Sequence, residues 1–290
     1  MARRRPPSVH GFLVIDKPVG VTSHDVVDVV RRRLGERRVG HGGTLDPDAS
    51  GVLLVGVGHV TRLLTFLVGH DKRYVGEVVL GVETSTLDAS GDVTTRYAMG
   101  PVDVAEAQRL ATEHLTGPIL QVPPMVSALK IGGRRLYELA REGIEVPRAP
   151  RPVTVHRFEV RSGPEPGVLT VDVTCSAGTY VRSLAADLGR LLGGGAHLRH
   201  LRRLASGGFG VEEAASPDVA VLRPALDALR DFPVVAVDAD TGSVVANGRV
   251  LPRWDGPGPW AVVGSDGGLL AVYEAFRAGE AKPVVVLAAH

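Results

Sequence analysis

Asp46 and Arg182 are the two side chains whose types and settings point most directly to chemistry. Asp46 sits between Leu45 and Pro47, and a following proline holds its predecessor in an extended conformation. Glycines at 42, 43 and 51 leave room for a ligand or another backbone to come close. An ordinary Asx turn would use the same Asp-Pro step. Arg182 falls in the first turn of an expected helix, where the helix dipole disfavours a cation by roughly 0.3–1 kcal/mol. A buried carboxylate partner would account for that placement and would keep the acid ionised. Residue chemistry therefore suggests an Asp–Arg pair without naming a reaction.

Other motifs carry less. Ser127-Ala128-Leu129-Lys130 has the Ser-x-x-Lys spacing, but its companion Ser-Asp-Asn and Lys-Thr-Gly elements are absent. Gly56-Val57-Gly58 has Thr61 where a dinucleotide fingerprint needs its third glycine. His41, Asp46 and His59 are irregularly spaced, so no metal site is expected. The single cysteine, Cys175, excludes an internal disulfide framework.

These residues need elements to hold them. Gly11 to Ile15 reads as a buried strand ended by the turn Asp16 to Gly20, and Ser23 as the cap of a helix to Leu34. A glycine-rich loop, His41 to Gly51, precedes the apolar run Val52 to Val57. Tyr74 to Leu80 and Val168 to Cys175 read as strands, the second with Leu169, Val171, Val173 and Cys175 on one side. Val104, Ala107, Leu110, Ala111 and Leu115 form a helical stripe, and Val181, Leu184, Ala185, Leu188 and Leu192 another, on a helix from about Thr179. Residues 121–152, with Pro123-Pro124, Gly132-Gly133 and a short helix at Arg134 to Arg141, read as a binding excursion. An acidic helix is expected within 211–231, followed by a small Gly/Val-rich β unit. The intermixed elements predict an α+β fold.

The chain has 290 residues, 44% of them hydrophobic, enough for a substantial core. No apolar run approaches the ~20 residues of a membrane helix, and the basic start, Met1 to Pro7, leads into no apolar segment. A cytoplasmic protein is expected. Net charge alternates along the chain, +5 over residues 1–73, −5 over 74–128, +6 over 129–210 and −5 over 211–290. Two basic stretches on one face would offer a phosphate-binding surface.

Six collinear motifs over about residues 10–210 resemble the TruB-type bacterial tRNA pseudouridine synthases. Gly11 to Ser23 is similar to that family's opening motif, and Val39 to Leu53 to its catalytic loop. Lys72-Arg73-Tyr74 resembles the segment with its active-site tyrosine. Gln121 to Lys130 with Leu136 to Arg141 resembles its RNA-gripping thumb. Cys175 to Leu184 and His197 to Leu204 resemble its later motifs. Val126 departs from the pattern, standing where the family usually carries an aromatic.

The resemblance implies a pseudouridine-synthase-like core of mixed and antiparallel sheet flanked by helices. Residues 1–231 would be the catalytic domain, with the thumb at about 121–152, and 232–290 a small PUA-like RNA-binding domain. It implies isomerisation of one T-loop uridine, position 55 in tRNA numbering, to pseudouridine, with the base flipped into a pocket and no metal or cofactor required. Asp46 would be the nucleophile, Arg182 its orienting partner, Tyr74 the ring stacked on uracil and Leu198 an apolar wall. His41, Lys130 and Arg141 would contact RNA, and Lys17 and Pro18 would support the catalytic loop. The expected partner is the T arm of tRNA, with no membrane, no required protein partner and a monomeric enzyme. An RNA-binding or tRNA-folding module with dispensable catalysis, and a guide-RNA-dependent synthase, remain as other readings; the thumb favours a stand-alone enzyme over the second.

Overall fold

The structure, a computed structural model, describes residues 6–287, so Met1 to Arg5 of the basic start and the last three residues lie outside it. The chain opens with β1 (Gly11–Lys17), α1 (Ser23–Leu34), β2 (Val39–Gly42), β3 (Ser50–Val57), α2 (Leu64–Val68) and β4 (Lys72–Leu80). A small ribbon, β5 (Val82–Thr84) and β6 (Val93–Arg96), leads to α3 (Val104–His114) and β7 (Gly117–Gln121). After β8 (Lys130–Ile131), β9 (Arg134–Arg135) and α4 (Leu136–Arg141) come β10 (Arg151–Ser162), β11 (Val168–Cys175), α5 (Val181–Leu191), β12 (Ala196–Ser206) and β13 (Phe209–Gly210). The chain ends with β14 (Val234–Ala236), α6 (Ala239–Ala246), β15 (Leu251–Pro252), β16 (Trp260–Val263), β17 (Leu269–Ala275) and β18 (Glu280–Val286).

A nine-stranded sheet runs in the order β1-β3-β12-β4-β11-β10-β7, with β2 paired to β3 and β13 to β12. Its pairings are antiparallel except for a short parallel contact of β12 with β3, at Arg202–Ser50 and Arg203–Gly51. The fold is thus α+β with a mixed sheet. α3 and α5 cover one stretch of it, closing a core of Leu169, Val171, Val173, Phe158, Leu184 and Leu188. α1 covers another, with Val26, Val27 and Val30 against Leu13, Ile15 and Leu53. The second sheet, β14-β16-β17-β18-β15, packs Ala261, Val272 and Val285 into the same apolar cluster as Phe12, Val14 and Phe209.

Several sequence expectations need correction. β1 continues through Asp16 and Lys17, because both stay paired to β3 at Val52 and Gly51. Thr22, not Ser23, caps α1 in a reciprocal box with Asp25; the Ser23 hydroxyl is engaged elsewhere. The acidic helix expected in 211–231 is replaced by two short 3₁₀ turns, Val211–Glu213 and Ala225–Leu229. Pro217 and Pro224 interrupt that segment, and its backbone serves the edge of β1 instead: Arg223 exchanges two hydrogen bonds with Phe12, and Ala215 bonds Val14 and Asp16. β10 and β12 are long strands that hydrophobic alternation did not disclose. A β-bulge interrupts the pairing of each, which breaks the period of two.

Candidate active site

The loop between β2 and β3 carries Asp46 and enters the sheet at Ser50 and Gly51, beside Arg202 and Arg203 of β12. Three buried groups fasten this loop. The Ser23 hydroxyl accepts from the Leu45 amide at 2.9 Å and donates to the Leu45 carbonyl at 3.1 Å. Lys17, completely buried, donates from Nζ to the carbonyls of Val21, Pro18 and Pro47. Arg203, 1% exposed, donates to the carbonyls of Val52 and Gly43 at 2.6 and 3.1 Å. Gly51 is required where the loop re-enters the sheet: its φ is +104°, and a Cβ there would lie 2.1 Å from the Arg203 carbonyl oxygen.

Arg182 comes from the first turn of α5 and is 4% exposed. Its Nε lies 3.0 Å from Asp46 Oδ2, and its Nη1 lies 3.4 Å from Asp88 Oδ2. The same guanidinium donates to the carbonyls of Thr86 and Val126, each at 2.9 Å. The cation unfavourable to its own helix is therefore surrounded by acceptors. Asp88 is held in turn by the hydroxyls of Thr86 and Ser90. Sequence reasoning passed over Asp88, which stands in an unremarkable acidic loop.

Asp46 feels opposing influences. Its side chain keeps 41% of its surface open to the cleft but is otherwise ringed by protein. Desolvation raises its pKa above the ordinary aspartate value; the Arg182 charge and hydrogen bond pull it down, and Asp88 and Asp48 push it up. The net direction is upward, so Arg182 offsets the burial of the carboxylate without reversing it.

The cleft in front of Asp46 has a volume of about 280 Å³ and is lined by Tyr74, Lys72, Leu201, Arg203, Ser127 and Thr179, among others. Desolvation raises the Tyr74 phenol, which keeps its proton. Desolvation lowers the Lys72 ammonium to about 8; it donates to the carbonyls of Val68 and His70. A second cavity of about 240 Å³ lies beside the first, with Asp46, Arg182 and Leu201 shared between them. Leu198 is 1% exposed and lines only this second cavity; Leu201 faces both from the bulge between Arg199 and Arg202, and nothing in the sequence sets it apart.

The remaining candidate residues are dispersed. His41 sits on β2 with its ring edge against His24 at 5.4 Å; burial lowers it to about 4, so it is neutral near pH 7. Pro18 is exposed beside the Lys17 network. Lys130 and Arg141 are exposed on the 122–150 insertion, where Arg141 and Arg135 both approach the Tyr137 ring, at 5.6 and 5.7 Å. Arg203 was missed because in sequence it is one cation in a basic run. Among the described residues no group of three or more His, Cys, Asp and Glu side chains forms a metal-binding cluster, and no helix is long and apolar enough to cross a membrane.

Residues 31–181 match the TruB family pseudouridylate synthase N-terminal domain, 182–226 the tRNA pseudouridylate synthase B C-terminal domain, and 232–288 the tRNA pseudouridine synthase II C-terminal domain. The chain is 49% identical over 251 residues to tRNA pseudouridine synthase B of Symbiobacterium thermophilum, covering 83% of this chain and 82% of that protein. It is 45% identical over 290 residues to the protein of the same name from Thermobifida fusca, covering 96% and 98%. Among solved structures it is similar to a chain of a Cbf5-Nop10-Gar1 complex, with TM-score 0.70, 26% identity, and coverage of 97% of this chain and 84% of that one. A chain of an H/ACA RNP bound to a substrate RNA containing 2'-deoxyuridine aligns with TM-score 0.68 and 25% identity, covering 92% and 78%.

Proposed function

The chain belongs to the TruB family of pseudouridylate synthases, and from that premise we propose that it converts the T-loop uridine at position 55 of tRNA to pseudouridine with Asp46 as nucleophile. The observation that carries this reading is the Asp46–Arg182 pair at 3.0 Å, set in a cleft beside the Tyr74 ring. In the isomerisation the N1–C1′ bond breaks, the uracil turns, and C5 bonds to C1′; the C5 proton leaves and N1 gains one. Neither oxidation nor a group donor enters that balance.

Asp46, whose charged form Arg182 favours against the burial that raises its pKa, engages the substrate as the glycosidic bond opens. Tyr74 stacks on the extruded uracil and holds it through the rotation, with Leu201 and Leu198 as apolar walls. Lys17, Pro18, Ser23 and Arg203 keep the loop in place, so the carboxylate meets the base without reorganisation. His41, Lys130 and Arg141 contact the T arm, and the basic stretches supply the phosphate contacts. The enzyme acts as a monomer in the cytoplasm, without a guide RNA.

The decisive experiment is incubation of a T-arm stem-loop with the protein alone, followed by nuclease digestion and chromatographic nucleoside analysis. One pseudouridine per stem-loop, at the position corresponding to 55, is expected. Binding without conversion would move the assignment to a tRNA-folding module.

A further inference from the structure

The 122–150 insertion leaves the sheet at Gln121 and returns at Arg151, which are partners in the β7–β10 ladder. Its root lies against the first turn of α5, the turn that carries Arg182. The Gln121 side chain, 2% exposed, grips the Tyr180 backbone from both sides: Oε1 accepts from the Tyr180 amide at 2.8 Å, and Nε2 donates to the Tyr180 carbonyl at 3.1 Å. Tyr180 is the N-cap residue of α5 and provides no side-chain cap of its own. Three residues on, the Ser183 hydroxyl donates to the Val122 carbonyl at 3.0 Å. The Val126 carbonyl accepts from Arg182 Nη2 at 2.9 Å, while Nε of the same guanidinium holds Asp46.

We propose that Gln121 is a positioning residue that couples the RNA-facing insertion to the catalytic carboxylate, through Tyr180 and Arg182. The physical basis is a short, buried chain of contacts. A primary amide matched to both backbone groups of one residue fixes that residue in register. Two residues on, in the same first turn of α5, is Arg182, whose planar fork has one arm on the insertion and another on Asp46. A shift at the root of the insertion therefore changes the geometry at Asp46, whereas a shift at its tip, beyond the β8–β9 hairpin, need not. The coupling rests on the proposed catalytic role of Asp46, and its test separates the two.

Gln121→Met keeps the length of the side chain and removes both bonds. Single-turnover pseudouridine formation on a T-arm stem-loop is expected to fall at least tenfold, with the stem-loop Kd changed less than threefold. The acid limb of the rate profile should move to higher pH, because a loosened Arg182 no longer offsets the burial and the neighbouring charges of Asp88 and Asp48. The Asp46 carboxyl, followed by carbon NMR, should titrate at correspondingly higher pH, a readout independent of turnover. In an Arg182→Lys background the effect of Gln121→Met should shrink below threefold, as expected for residues acting through one another. A wild-type rate and titration in folded Gln121→Met, or full additivity with Arg182→Lys, would overturn the coupling. If Gln121→Met does not fold, Ser183→Ala carries the same test with a loss of about threefold expected, and an unchanged rate and Asp46 titration there would overturn it. A wild-type chain that binds but never converts the stem-loop would overturn the catalytic reading instead, and the Asp46 titration would still decide the coupling.

Discussion

The two sheets of this protein bury different kinds of side chain. Among the described residues, the buried polar and charged side chains lie between Lys17 and Ser206, including Lys17, Lys72, Asp172, Arg182 and Arg203. The C-terminal sheet buries Trp260, Tyr273, Val262 and Ala271 around α6, and its two buried polar tips are met by backbone carbonyls: Trp260 Nε1 by Asp255, the Tyr273 hydroxyl by Arg249. Burying an ion costs several kcal/mol unless partners offset it. In the nine-stranded sheet Lys17, Arg182 and Arg203 carry that cost around the Asp46 loop, Lys72 against the carbonyls of Val68 and His70, and Asp172 against Arg73; the five-stranded sheet avoids it. Charge burial thus concentrates in the nine-stranded sheet, and aromatic packing in the C-terminal one.

The sharpest break in that comparison is Asp46→Asn, which keeps the size of the side chain and removes its charge. Single-turnover conversion should fall below detection. Filter binding of tRNA should stay within about tenfold, or about 1.4 kcal/mol, because phosphate contacts elsewhere supply most of the affinity. Substantial residual turnover, or binding and folding lost in parallel, would mean that Asp46 only shapes its loop.

The opposite result is expected from the other sheet. Trp260→Ala removes a completely buried ring packed edge-on against Trp254 at 5.9 Å. Unfolding in urea should show a loss of about 3–5 kcal/mol, while the single-turnover rate per folded molecule stays within twofold. A tenfold drop in that rate would show that the two sheets are functionally linked through the Phe12–Ala261–Val272 cluster they share, and the contrast between them would fail.

How far this contrast could be read from sequence depends on the kind of evidence. Alternation gave β11 with its true ends, Val168 and Cys175, and periodicity gave the buried faces of α1, α3 and α5. The same reasoning suggested a carboxylate for Arg182 from nothing more than its place in a helix. Arg203 and Lys17 were a different matter. A cation buried among backbone carbonyls has the same letter as one in water, and only the fold shows that the β12–β3 contact carries Arg203 under the Asp46 loop. β10 and β12 escaped for a related reason: bulges at 155–157 and 199–202 shift the inward-facing positions, so the pattern of two fails where the strands bend. Roles for Tyr74, His41 and Leu198 came from family resemblance alone, since burial and ring placement have no sequence signature.

The smallest expected effect sharpens the comparison through pH. Desolvation lowers Lys17 from its ordinary value to about 8 in the folded chain, with Asp46 and Asp48 opposing the shift and Arg203 adding to it. Between pH 8 and about 10.5 the unfolded chain then binds more protons at this residue than the native one, so the contribution of Lys17 to stability rises with pH. Below pH 8 both states are charged and the burial penalty is present in full. Lys72, also lowered to about 8, acts in the same direction. Cys175, raised to about 11, and Tyr74, also raised, act oppositely, because there the unfolded chain loses its proton first. The total slope is therefore a compromise, and a difference between two proteins isolates one residue. Unfolding free energies of the wild type minus those of Lys17→Met, from urea titrations at pH 7.5 to 10, should climb above pH 8 by up to about 1.4 kcal/mol per pH unit. A flat Lys17 difference, or one that falls, would mean that the ammonium is solvated in the folded chain and that the loop around Asp46 is held by other means.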